Sequence, residues 1–280
     1  MGDWILSAFA DEHSSDLVGQ IAALQSFGLS WIELRFLNGK NIADLTVLEA
    51  KQAKQMLEEG GICVSALGSP LGKINLADDF SAHMEKARNV FEIAGIMETD
   101  KIRMFSFYLH AGKGRAECRA EVLDKLGAML ELAERFGLKL CHENEAAIYG
   151  ETPEQCLDLL TAFGGKLRAV FDMGNFVLEG SKPWPDGYEQ LKTYIEYFHI
   201  KDGLSAGAIV PAGCGEACIG EILHTYKEEF KRDVLLSIEP HLQTFDGLNK
   251  LVGKSFENPY QFATAQDAFA EAVKRTKALL

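Results

Sequence analysis

The sequence predicts an α/β protein folded as a single (β/α)8 TIM barrel over residues 1–280. Three observations predict it. Eight short apolar runs of strand length alternate, end to end, with longer stretches of helical periodicity. No linker, low-complexity tract or compositional break interrupts them, and 280 residues suit one α/β barrel. The segment after the first run, Ala8-Phe9-Ala10-Asp11-Glu12, is not the glycine-rich loop that an open dinucleotide-binding sheet requires there.

The elements follow in order. Trp4–Ala10 reads as the first strand. Asp16–Phe27 follows as a helix, with Leu17, Ile21, Leu24 and Phe27 on one face and Gly28 at its stop. Ser30–Arg35 leads to helix Leu45–Glu58, Ile62–Leu67 to Phe80–Ile96, and Lys101–Phe107 to Ala116–Phe136. Leu138–Glu145 leads to Pro153–Phe163, where Thr152 is a natural cap and Pro153 suits the first turn. Leu167–Asp172 leads to Tyr188–Glu196, Tyr197–Lys201 to Glu216–Phe230, and Val234–Glu239 to Tyr260–Ala278. Two connections are long, Phe176–Asp186 and Leu242–Pro259. Both follow strand C-termini, so both overhang the face where such barrels hold their active sites. Phe176 and Trp184 on the first of them suit either a sugar's apolar face or the core.

Lys and Arg number 28 against 41 Asp and Glu, a net charge of −13, and a surface this acidic repels nucleic acid. No apolar stretch is long enough to span a membrane. The start, MGDWILSAFA, lacks the basic and cleavable pattern of a signal peptide. The six cysteines follow no disulfide framework, so the expectation is a cytoplasmic protein with reduced thiols. Cys214 and Cys218 form a lone C-x3-C pair that reads as two small thiols rather than a zinc site. Apolar positions on the outer helices suit a homodimer or homotetramer.

Strand side chains alternate, so residues two apart face the same way. In Leu138–Glu145 the leucines Leu138 and Leu140 face the helices, which turns Glu143 and Glu145 into the barrel mouth. The same phase turns Asp172, His199, Lys201, Glu239, His241, Glu33 and Arg35 inward. Strands five to eight therefore each end on an inward ionisable group: Glu143, Asp172, His199 and Glu239. Three carboxylates buried together repel one another unless a cation or protons neutralise them. One divalent ion held by these four residues resolves the conflict. An oxygen-rich set favours Mn²⁺ or Mg²⁺, with Co²⁺ or Zn²⁺ as further candidates.

The segments WIELR, LCHENE, VFDMGNF, FHIKD and SIEPH occur in this order, one per strand. On them the chain resembles the xylose-isomerase-like TIM barrels grouped as sugar phosphate isomerases and epimerases. That group includes ketose 3-epimerases, hydroxypyruvate isomerases and inosose dehydratases. The resemblance implies a single divalent metal on Glu143, Asp172, His199 and Glu239. It also implies that Glu143 and Glu239 move protons on opposite faces of a sugar. The chain departs from the pattern where many relatives have a histidine and it has Asn175. It also lacks an arginine in Gly203–Val210, and carries Cys214 where relatives often have a charged residue. The group's three-zinc DNA-repair endonucleases use many histidine ligands, which seven scattered histidines do not match.

The chemistry such a site supports is proton transfer beside a carbonyl. A metal polarises the carbonyl oxygen and a carboxylate takes the proton. Return to the other face is epimerisation, return to the neighbouring carbon is isomerisation, and loss of a β-hydroxyl is dehydration. The expected activity is a metal-dependent isomerase or epimerase of a small-molecule sugar or sugar phosphate. The alternatives are a lyase acting on a cyclitol or keto-acid and a non-catalytic carbohydrate-binding barrel. Lys201 suits a substrate oxygen or a salt bridge to Glu145 or Asp202. His241 suits a substrate hydroxyl or support of Glu239. Glu33 and Arg35 suit a hydroxyl or each other. Lys73, in GSPLGK, suits a phosphate as a point charge, and His110, Glu145 and Asn175 complete the expected substrate-binding set.

Overall fold

The computed structural model describes residues 2–242, 260 and 262–280. All eight expected strands are present: β1 Trp4–Ala8, β2 Trp31–Leu34, β3 Cys63–Gly68, β4 Lys101–Met104, β5 Lys139–Glu143, β6 Arg168–Asp172, β7 Ile195–Ile200 and β8 Val234–Ile238. They form one sheet in the order β1-β8-β7-β6-β5-β4-β3-β2, every ladder parallel. β1 packs against β2 and brings the ring nearly closed. The outer helices are α1 Leu17–Ser26, α2 Val47–Glu59, α3 Phe80–Met97, α4 Arg115–Arg135, α5 Pro153–Ala162, α6 Met173–Leu178, α7 Tyr188–Leu191, α8 Ile219–Phe230 and α9 Ala265–Ala278.

Local chemistry sets the helix starts. Asp16 accepts a hydrogen bond from the Gly19 amide ahead of α1. Thr46 and Glu49 form a reciprocal capping box at α2, and Asp79 caps α3. The core is a thick apolar layer between strands and helices. A second, small cluster of Ala66, Cys141, Val170, Tyr197 and Leu235 is separate from it. Cys141, Val170 and Tyr197 lie two residues before Glu143, Asp172 and His199, so the cluster forms an apolar floor inside the barrel beneath the ionisable groups.

The structure differs from the sequence reading at the ends of elements. β4 stops at Met104 and β5 at Glu143, so Glu145 lies beyond the strand and not in its alternating phase. The expected helix Tyr188–Glu196 stops at Leu191, because Ile195 is already buried in β7 and paired with Ala169. The expected long loop Phe176–Asp186 contains α6 and a helical turn at Pro183–Gly187. Phe176 is fully buried there and Trp184 packs on Tyr188, so both belong to the core. Two small hairpins were not expected: Phe36–Leu37 with Lys40–Asn41, and Asp202–Gly203 with Ile209–Val210. The other long connection, Leu242–Pro259, lies outside the described residues apart from Leu242. Thr264 caps α9, which starts at Ala265 rather than Tyr260. Among the described residues no helix is long and apolar enough to cross a membrane, and all six cysteines are free.

Candidate metal centre and substrate site

Glu143, Asp172 and His199 stand at the C-terminal ends of β5, β6 and β7, and Glu239 follows β8 directly. One ligand atom from each lies within 4.8 Å of all the others. His199 makes the geometry explicit. Its Nδ1 is 3.1 Å from Glu143 Oε1, 3.2 Å from Glu239 Oε2 and 3.9 Å from Asp172 Oδ2. Its Nε2 points the other way and donates to Glu33 Oε2 at 3.1 Å. Glu33 in turn accepts from the Tyr197 hydroxyl at 2.9 Å. Glu33 thus anchors the ring from behind and turns Nδ1 toward the acids, where it meets Glu143 Oε1.

Asp172 serves two elements. Its Oδ1 accepts from the Asn175 amide (2.8 Å) and caps α6, while Oδ2 faces the cluster. Asn144 locks the same strand end, donating to the Asp172 carbonyl at 2.9 Å and accepting from its amide at 3.0 Å. Asn175 Nδ2 donates to the Asn144 carbonyl at 2.9 Å and its Oδ1 accepts from Lys201 Nζ at 3.0 Å. Gly174 is required because a Cβ there would lie 2.7 Å from Lys201 Cγ and 2.9 Å from the Lys201 backbone.

Asp11, Glu12, Glu33, Glu143, Asp172 and Glu239 are all buried here, against three buried permanent cations, Arg35, Arg103 and Lys201. The sequence argument for a charge conflict therefore holds, although protein cations offset part of it. Arg35 pairs with Asp11 (2.8 Å), Glu12 (3.2 Å) and Glu239 Oε1 (2.8 Å). Lys201 Nζ lies 2.9 Å from Asp172 Oδ2 and 3.2 Å from Glu239 Oε2. Arg103 Nη1 lies 3.2 Å from Glu143 Oε2. Even so, Glu143 Oε2, Asp172 Oδ2 and Glu239 Oε2 are buried without a hydrogen bond, since these cations approach off the hydrogen-bonding axis. Three orphaned carboxylate oxygens gathered about an imidazole nitrogen that faces them are the donor set of a divalent ion, and the residues fit one.

The remaining excess charge shows in the acids. Burial raises the Asp172 carboxyl to about 7; Lys201 opposes this and Glu143 and Glu239 reinforce it. Burial likewise holds Glu12 at about 8 against the pull of Arg35. Burial would raise Glu143 and Glu239 too. His199 instead draws Glu143 down to about 2, and Lys201, His241 and His199 draw Glu239 well below the usual range.

Of the residues expected to bind substrate, Arg35, Lys73, Glu145 and His241 line the cavity over the cluster, with Asn41, Arg103 and Phe105. Asn175 and Lys201 stand beside the acids, as described. Lys201 bonds to neither Glu145 nor Asp202. Lys73 takes Glu145 at 2.8 Å, and Asp202 holds its own loop through the amides of Gly203, Gly213, Gly215 and Ala217. Glu33 lies behind His199 and Arg35 among Asp11, Glu12 and Glu239, so each has partners other than the expected one. His110 is turned to Glu121 at 2.7 Å and does not line the cavity. Nearness to a strand end did not bring it in, because residues 105–110 lie beyond β4; Phe107 is in the left-handed region, at φ 67°.

Sequence reasoning missed Asp11, Glu12 and Asn144, and left Arg103 and Tyr197 without a role. Asp11 and Glu12 sit on a short helical turn, Ala10–Glu12, where alternation carries no signal. Their position immediately after β1 was the available clue.

Fold and site define a (β/α)8 barrel with a buried acidic constellation at its C-terminal mouth. The model of the xylose isomerase-like TIM barrel family matches residues 21–257, and the chain belongs to that family. No curated protein matches the sequence. Among solved structures, the chain is similar to the IOLI protein with a bound zinc atom (18% identity, TM-score 0.75, covering 98% of this chain and 97% of that one). It is also similar to the probable 3-DHS dehydratase AsbF from Bacillus anthracis (19%, TM-score 0.73, 99% of each chain). A third is D-allulose 3-epimerase from Methylomonas sp. in complex with D-allulose (14%, TM-score 0.76, 100% of this chain and 98% of that one). At these identities the likeness is one of fold.

Proposed function

We propose that the protein is a divalent-metal-dependent isomerase or epimerase that moves a proton beside the carbonyl of a sugar or sugar phosphate. The observation that carries the reading is the convergence of three orphaned carboxylate oxygens with His199 Nδ1. Glu143, Asp172, His199 and Glu239 would hold the ion, with Mn²⁺ or Mg²⁺ the first candidates. The ion supplies the electrophile that makes a neighbouring C–H acidic.

The chain's own residues do the rest. Glu143 and Glu239 reach the site from β5 and from the end of β8, with two strands between them, and would flank a bound carbon. One takes the proton and the other returns it. Arg35 holds Glu239 Oε1 and leaves Oε2 to act. Lys201 and Asn175 fix the Asp172 side. The apolar floor beneath keeps bulk water from the reacting face.

Purified protein is expected to hold about one divalent ion per chain. Glu239→Gln and His199→Ala should lose it while keeping the fold by circular dichroism; full metal content in both variants defeats the assignment. In deuterium oxide, exchange into a candidate ketose without loss of water supports the isomerase or epimerase. Loss of water instead supports the second reading, a dehydratase, which the structural likeness to AsbF keeps in view.

A further inference from the structure

We infer that the substrate carries an anionic group, a carboxylate or a phosphate, and that Arg103 and Lys73 receive it. The inference rests on the reading above that the cavity over the acidic cluster is the substrate site. Arg103 projects from β4 with its guanidinium between two rings, 5.2 Å from the Phe9 centroid and 5.0 Å from that of Phe105. Its Nη2 donates to the Gly68 carbonyl at 3.0 Å and its Nη1 faces Glu143. Its Nε is buried and donates to nothing. Buried arginines as a rule have their donors engaged; this one, 4% exposed, keeps a charged N–H unused and lines the cavity.

Lys73 lies on the same aromatic platform, with Nζ 4.3 Å from the Phe105 centroid. It gives one bond to Glu145, retains two further protons and remains partly open to solvent. Arg35 is the other cation of the lining, but three carboxylates already hold it. The lining as a whole carries Arg35, Lys73 and Arg103 against Glu143, Glu145 and Glu239. Once a divalent ion engages Glu143 and Glu239, Arg35, Lys73 and Arg103 face Glu145 as the one remaining carboxylate of that lining. A neutral polyol uses none of these cations, whereas the oxygens of an anion can be shared by Arg103 and Lys73, which both stand on the Phe105 ring.

The test is binding of three four-carbon probes, erythritol, D-erythronate and D-erythritol 4-phosphate, to magnesium-loaded protein by calorimetry. At least one anionic probe should bind ten-fold or more tightly than erythritol; erythronate ahead identifies a carboxylate, the phosphate ahead a phosphoryl group. Lys73→Met should cut the preference to under three-fold with metal content unchanged. Arg103→Lys, which keeps the charge but loses the fork, should weaken it in the same direction. Equal affinity for all three probes, or none for any, overturns the inference. So does a preference that survives both substitutions, since the ion alone then holds the anion. A protein that takes up no divalent ion overturns the isomerase reading instead, and the preference is then read on the ion-free protein with the same two variants.

Discussion

At the residue scale, Glu33 shows how one buried side chain orients another. Its carboxylate fixes the His199 ring from behind, and Tyr197 fixes the carboxylate. Glu33→Gln keeps the shape but weakens that hold. Metal affinity should fall by about 10- to 100-fold, measured by calorimetric titration, with the unfolding midpoint little changed. Alternation placed Glu33 inside the barrel from sequence alone, but its partner depended on the lateral order of strands, which one strand's pattern does not contain. His83 carries a different prediction. Its Nε2 accepts from the Gly72 amide at 2.9 Å, so the fold needs the neutral ring. Burial, with Lys86 and Lys125 nearby, lowers its pKa to about 4 from an ordinary 6.5. As pH falls from 6.5 toward 4 the unfolded chain binds the proton first. The His83 contribution to stability should decline by about 2 to 3 kcal/mol over that window. His83→Gln retains an acceptor without a titration, so urea melts of the variant should show a shallower decline.

At the element scale, the end of β6 is stopped by a device that also orients a side chain. Asp172 ends β6 and caps α6 with one carboxylate. That double duty explains why the loop expected over Phe176–Asp186 begins as a helix: VFDMGNF holds both a strand terminus and an Asp cap three residues before Asn175. The cap was legible and was passed over, because α6 is only six residues long. The hairpin Phe36–Leu37 with Lys40–Asn41 was legible too, since Asn38-Gly39 is a strong two-residue turn signal and both residues have positive φ. The packing of α6 gives a further test. Gly174→Ala presses a methyl onto the Lys201 backbone, which cannot swing aside, and should cost about 1 to 3 kcal/mol in chemical denaturation.

At the scale of the whole molecule, the eight-fold alternation of strand and helix was readable throughout, because each unit carries its own periodicity. Ring closure was not, since it joins β1 to β2 and β8 through contacts far apart in sequence. One such contact is polar. Ser65 Oγ donates to the Ile32 carbonyl at 3.0 Å and so receives the Ser7 hydroxyl at 2.8 Å, tying β1, β2 and β3 together at the seam. Ser65→Ala strands the buried Ser7 hydroxyl and should cost about 1 to 3 kcal/mol of unfolding free energy, measured by urea titration.

The Arg35 bridge to Glu239 spans the same seam across 204 positions of sequence. During synthesis, the guanidinium and its two early partners, Asp11 and Glu12, leave the ribosome long before their counterpart does. A nascent chain halted short of β8 holds those groups without the carboxylate that completes them. Assembly of the acidic mouth is therefore a terminal event of biogenesis, and a C-terminally shortened product should be prey to proteolysis rather than persist as a folded barrel.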